Sequence, residues 1–331
     1  MFCWGSWANL QKLPGKWRYE LFYWDFSIGV ALAGVVAAFT LGSLNSAELT
    51  FQDNLLIASY HKMSYGLEVG VLIGLANLLL VGALSVAPMA VVFPIAMGVG
   101  LVVGSAWLLF PPQGDELLLL GGSVLVLVAI IVNAFAYGAY SQEQRAVKLG
   151  TADPRTPAAK PPAPSKGVAL SVVSGIAMGL VRPLSDLARS GEDGLGPYSA
   201  GLLVTLAALA STFVYAPFFI TFAVHGAPVQ FRSYFTGGKT PHLYGILAGI
   251  LWSVGLIAAF ASGGTLATIQ AGPVATRGFE EGAAVLATLW GLLVWREFRG
   301  GSPKIRILLT AMLILWAIGA ALVTMAPAFA K

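Results

Sequence analysis

The chain has 331 residues, 57% of them hydrophobic and 10% charged, with a formal net charge of +4. A soluble domain carries about 25% charged residues, so this composition holds more apolar surface than a water-soluble fold can hide, and lipid is the solvent it matches. The basic residues form no patch interleaved with exposed aromatics, which argues against nucleic acid as a partner; a lone cysteine, Cys3, permits no internal disulfide and joins no Cys/His cluster, so neither a metal nor a cofactor is expected.

Ten apolar stretches predict ten helices, in chain order 1–13, 22–44, 63–86, 88–110, 117–140, 168–188, 197–224, 242–262, 272–294 and 305–326. The first, MFCWGSWANLQKL, has no basic region ahead of an apolar core and is not a cleavable signal peptide. A helix of about 13 residues reaches only about 20 Å of a ~30 Å hydrocarbon core, so an upstream segment or an unusual start is expected. Within it, Trp4 and Trp7 offer flat faces for a heterocycle or a sugar ring, and Asn9 and Gln11 offer amides for its carbonyls or hydroxyls. Anchoring at the membrane interface accounts for the tryptophans equally well.

Ionisable groups inside apolar helices are costly in lipid and are candidates for function by default. Glu68 and Asn77 share the third stretch, the first as a coupling or binding carboxylate and the second as a donor and acceptor for a ureide or nucleobase edge; a headgroup position and interhelical packing are their plainer roles. After the fifth stretch, residues 141–167 lose apolar periodicity and gather Pro154, Pro157, Pro161, Pro162 and Pro164, which reads as a solvated linker between residues 1–140 and 168–331. In the sixth stretch Arg182 and Asp186 flank Pro183, either as a broken helix lining a cavity or, the reading preferred, as wet charges at the end of the span. The ninth stretch places Glu280 and Glu281 three and four residues after Arg277, so one carboxylate pairs with the guanidinium and the other stays available for proton coupling or substrate. A structural Arg–Glu pair that fixes helix packing is the alternative. Tyr65, Tyr244 and Trp252 are lesser candidates of the aromatic kind.

Fourteen Lys and Arg fall in loops after odd-numbered stretches and three on the other side. By the positive-inside rule the linker 141–167 is cytoplasmic and both termini are extracytoplasmic, in a multi-pass protein of the cell (inner) membrane. Five helices duplicated end to end give two oppositely oriented halves. Tyr65, Gly66, Gly70 and Pro94 recur as Tyr244, Gly245, Gly249 and Pro273 at one constant offset, which points to such a 5+5 inverted repeat.

The segments CWGSWANLQKL from Cys3, ELFYWDFSIG from Glu20, AAFTLGS from Ala37 and LWGLLVWREFRGGSPKIRILL from Leu289 resemble the ureide permease family and its bacterial relatives, within the drug/metabolite transporter superfamily. The resemblance implies an all-α integral membrane fold of ten transmembrane helices and H⁺-coupled uptake of a ureide or nucleobase by alternating access. The related sugar-permease branch shares the element Trp4-Gly5-Ser6, so a sugar is the rival cargo. No HExxH, GxSxG or Walker A pattern supports a membrane-embedded enzyme, and a channel is disfavoured because ten distinct helices already form a monomeric unit. The expected binding residues are Trp4, Trp7, Asn9, Glu68, Asn77, Arg277 and Glu280, with Glu280, Glu281 and Glu68 for proton coupling.

Overall fold

The structure is a computed structural model that describes residues 1–15, 17–44, 49–109, 114–151, 164–224, 226–262 and 273–329, without the side chains of 148–151, 164 and 273–279. Among the described residues the chain is 83% helical with no strands. Eight helices are long and apolar enough to cross a membrane. They are α3 (Tyr19–Phe39), α5 (Tyr60–Leu84), α6 (Met89–Trp107), α7 (Glu116–Thr151), α8 (Pro164–Arg189), α9 (Pro197–Thr221), α11 (Lys239–Ser262) and α13 (Pro303–Met325).

Two of the ten expected helices take other forms. The first stretch is two short turns, α1 (Phe2–Ser6) and α2 (Asn9–Lys12). The ninth is α12 (Pro273–Leu289), which runs into a π-helical turn, Trp290–Val294. Short helices α4 (Phe51–Ile57) and α10 (Arg232–Phe235) lie in connections.

The linker boundary moves as well. Residues 141–151 continue α7 without a break, and 164–167 already belong to α8. The stretch SQEQRAVKL is polar but made mostly of good helix formers, with no proline before Pro154. Loss of apolarity marks where α7 leaves the bundle, not where the helix ends; the proline-rich residues 152–163 fall outside the described residues.

Helix packing rests on small residues that let backbones approach. A side chain at Gly249 of α11 would collide with the Phe26 carbonyl of α3, and one at Gly70 of α5 with the Val204 carbonyl of α9. Gly122 of α7 and Gly319 of α13 each face the other's carbonyl at 2.7 Å from where a Cβ would stand. The contacting pairs include α3 with α5, α9 and α11, α5 with α8 and α9, α9 with α11, α6 with α7, α8 and α12, α1 with α11 and α12, α2 with α11, and α13 with α7 and α12.

Contacts between connections sort the loops into two ends of the bundle. At one end Lys62 donates to the Leu187 carbonyl at 2.8 Å, Asn54 to Gly194 at 3.1 Å, and the Asp115 amide to Ala326 at 3.0 Å. At the other, Arg18 donates to Ala227 at 3.1 Å, Tyr140 to the Arg299 carbonyl at 3.2 Å, and the Ser302 amide to Glu143 at 3.1 Å. Each set joins loops that the charge pattern assigns to one side.

Candidate functional site: a cavity open at one end and sealed at the other

Between the helices lies a cavity of about 590 Å³, within the ~300–1,000 Å³ usual for small-molecule sites. Its wall includes Arg189 and Ser262 at the last residues of α8 and α11, Leu108 just beyond α6, and Thr324 near the end of α13. These are chain positions at the Lys62–Leu187 end, where the lining residue Asp186 is exposed, so among the described residues this end is the mouth. From there the wall reaches down to Phe93 and Leu80. Phe93 to Leu108 is about 22 Å of helix rise.

The charges cluster between mouth and floor. Arg182 on α8 forms an ion pair with Glu280 on α12, and Glu281 and Asp186 also act on its guanidinium. Pro183, one residue on, lacks the N–H that would bond the Gly179 carbonyl, and Gly179 lines the cavity. Arg189 donates to the Phe260 carbonyl at 2.7 Å and lies over that ring at 5.0 Å. Lower down, Asn77 is 2% exposed, lines the cavity and has an Oδ1 with no hydrogen-bond partner among the described residues. A primary amide on the cavity wall can both donate to and accept from a cargo.

The aromatic wall is partly as expected. Trp4 and Trp7 both line the cavity, Trp4 held by its Nε1–H on the Trp252 carbonyl at 3.0 Å, and Trp7 packed on Phe26 with centroids 4.9 Å apart. Trp252 lines it too.

Of the other expected residues, Glu280 and Glu281 line the cavity, while Asn9 and Glu68 do not. Glu68 is exposed on the outer face of α5. Asn9 accepts from Trp295 Nε1 at 2.6 Å, at the sealed end. Arg277 lies on α12 with its side chain outside the described part of the structure, and the guanidinium that pairs with Glu280 is that of Arg182. Arg182 and Asp186 are not merely wet charges at a helix end, since both line the cavity, and α8 continues through Pro183 to Arg189 unbroken. The signal was present in the sequence: Arg182, Ser185, Asp186 and Arg189 stand at i, i+3, i+4 and i+7, a polar stripe on an apolar helix.

Beyond the buried floor residues Trp7, Leu80 and Phe93, the far end holds a network that sequence reasoning missed. The Glu297 carboxylate accepts from the Met89 and Ala90 amides at 2.8 and 2.9 Å, at the N-terminus of α6, and forms an ion pair with Lys12. A carboxylate suits the exposed amides and positive dipole of a helix N-terminus. Reaching that place takes a distorted chain: the π turn 290–294, Arg296 at φ 49°, and Gly291, where a side chain would strike the Glu297 carboxylate. Gln11 donates to the Val81 carbonyl at 3.0 Å and Trp290 to Ser6 Oγ at 3.1 Å.

No family model matches the chain, and no curated protein matches it. A solved structure described as "Crystal structure of protein" is similar over 97% of this chain and 92% of that one, at 17% identity and a TM-score of 0.43. The chain is a multi-helical protein with, among the described residues, eight helices of membrane-spanning length and composition, packed around a largely apolar cavity that holds a few charged and amide side chains.

Proposed function

We propose that this protein is a secondary active transporter that moves a small polar solute across the membrane by alternating access. The observation that carries the reading is the cavity, a largely apolar pocket that holds Arg182, Glu280 and Asn77, with its mouth at one end and the Glu297 network beyond its buried floor at the other. A carrier caught with one gate open has that form, and buried charge of this kind is retained where a pathway needs it.

A duplicated, inverted architecture is supported by the packing. Exchange the halves, so that α1–α2 become α8, α3 becomes α9, α5 becomes α11, α6 becomes α12 and α7 becomes α13. The contact α3–α11 then maps onto α9–α5, α5–α8 onto α11–α1 and α11–α2, α6–α8 onto α12–α1, and α6–α7 onto α12–α13, while α3–α9, α6–α12 and α7–α13 map onto themselves. The glycines obey the same exchange, because Gly70 meets Val204 of α9 and its counterpart Gly249 meets Phe26 of α3. Helix limits agree too: moving Tyr60–Leu84 by the Tyr65-to-Tyr244 offset gives 239–263, against the observed Lys239–Ser262.

For the cargo we favour a ureide or nucleobase, as the resemblance to ureide permeases implies. Flat tryptophan walls, an amide and an Arg–Glu pair suit the alternating donors and acceptors of such a molecule. Thermal-shift measurements against allantoin, uracil, xanthine and hexoses test it. A ligand at 100 times its Kd stabilises the folded form by about 2.7 kcal/mol, and the same compound should exchange in proteoliposome counterflow. A hexose hit would replace the cargo, and binding with turnover but no counterflow would replace the carrier by an enzyme.

A further inference from the structure

Away from the cavity, at the sealed end, α3, α10 and α11 bring three polar side chains together. Asp25 is 1% exposed and accepts a hydrogen bond from the Tyr234 hydroxyl at 2.6 Å. His242 places Nδ1 at 2.9 and 3.0 Å from the two Asp25 oxygens, and Nε2 at 3.0 Å from the backbone carbonyl of Tyr234. The packing allows little slack, because the Trp17 ring meets the imidazole edge-on at 5.1 Å and a side chain at Gly237 would strike Trp17.

Counting protons on these atoms is decisive. A carbonyl oxygen only accepts, so the contact at Nε2 needs an N–H there. An ionised carboxylate also only accepts, so the contact at Nδ1 needs a second. A neutral imidazole has one N–H. Two arrangements satisfy every contact: an imidazolium beside a carboxylate, or a neutral imidazole that accepts at Nδ1 from a protonated Asp25. Both hold one proton more than a neutral histidine beside an ionised aspartate, and both leave the pair without net charge, as burial in low dielectric favours.

We propose that Asp25 and His242 form a proton-binding site, with Tyr234 as its positioning residue, and that the bound proton fastens the connection between α9 and α11 onto α3. When the proton leaves, the pair becomes a net anion and one imidazole lone pair faces an oxygen. That contact turns from attractive to repulsive, and the segment around α10 is released.

Little else nearby competes for the role. His242 and Tyr234 are the titratable groups acting directly on Asp25. On α3 itself, Glu20 is held by Arg18 at 2.7 Å. The connection supplies Arg232 and α11 supplies Lys239, each at the start of its helix. Helix α9 has no Asp, Glu, Lys, Arg or His, and on α5 His61, Lys62 and Glu68 lie toward the opposite end. Helix α2, which packs on α11, has Lys12 engaged by Glu297.

The use of this proton to drive transport rests on the carrier reading; the site itself does not. The test is nuclear magnetic resonance of the full chain in lipid nanodiscs with ¹⁵N-histidine and ¹³C-aspartate, His242 being identified among His61, His225 and His242 by the signal lost in His242→Gln. At about pH 7.5, where an ordinary histidine is mostly neutral, the expected spectrum shows either two protonated nitrogens on His242 or one together with a protonated Asp25 carboxyl. A neutral His242 beside an ionised Asp25 overturns the proposal. Where the wild-type spectrum shows an imidazolium, Asp25→Asn should lower the imidazolium-to-imidazole ratio of His242 about tenfold, and an unchanged ratio then counts against the site; where it shows a protonated Asp25, or should that variant fail to fold, the wild-type spectrum decides alone. If the extra proton is found but allantoin, uracil and glucose all fail to exchange, the carrier reading fails and the proton site stands. If a solute exchanges while His242 is neutral beside an ionised Asp25, the carrier stands and the proton site fails.

Discussion

Asn77 and Glu280 have different jobs in the cavity, and substitution should separate them. Asn77 lines the cavity and its buried Oδ1 has no hydrogen-bond partner among the described residues, so Asn77→Ala removes an amide that cargo can bond. About 1.4 kcal/mol of lost binding is a tenfold rise in KM or Kd, with the melting temperature little changed. Glu280 is one partner of a charge pair. Glu280→Gln leaves Arg182 beside two other carboxylates, Glu281 and Asp186, and should lower the rate of uptake at least about tenfold even at saturating cargo. Equal effects of both changes on KM alone, measured in proteoliposomes, would place both residues in simple binding.

At the scale of elements, two structures should prove sensitive. The contact of α11 with α3 depends on Gly249 lying against the Phe26 carbonyl. Gly249→Leu must part the helices and should cost about 2 kcal/mol or more, read as a lower melting temperature in detergent; Gly121, with nothing within 4 Å of its Cβ position, should tolerate the same change. The second structure is the seal. Glu297→Gln keeps an acceptor for the α6 amides but cancels the pair with Lys12 and the charge–dipole attraction. A cysteine placed at Ala76 on the cavity wall, in a Cys3→Ser background, should then react severalfold faster with a membrane-impermeant reagent applied from the sealed side. Unchanged reactivity would mean that this network does not hold the gate.

At the scale of the whole molecule the charge bias makes sidedness testable. Fourteen basic residues on one side against three on the other predict that the sealed end, with Lys12, Arg18, Arg232 and Arg299, faces the cytoplasm. A cysteine introduced at Ala158 in the proline-rich segment should react only after the membrane is permeabilised. Reaction in intact cells would turn the protein over, and with it the side that the cavity faces.

Much of this was legible in the residues alone. Apolar runs of about 20 residues determine spanning helices because lipid offers no partner for a backbone amide, and α3, α5, α6, α8, α9, α11 and α13 lie close to where those runs do. Composition also identified Glu280, Glu281, Asn77, Trp4 and Trp7 as polar or aromatic oddities, and all five line the cavity. What the chain order could not say is which helix each side chain faces. Glu280 pairs with Arg182, 98 residues away; Glu68 turns outward although it shares a helix with Asn77; and Asp25 meets His242 across 217 residues. Local periodicity fixes a residue's angle around its own helix axis, but the rotation of that axis within the bundle is set by close approaches such as Gly249 on Phe26. Only the packed bundle therefore decided which oddities became a cavity, which became a seal and which became a candidate site for a proton.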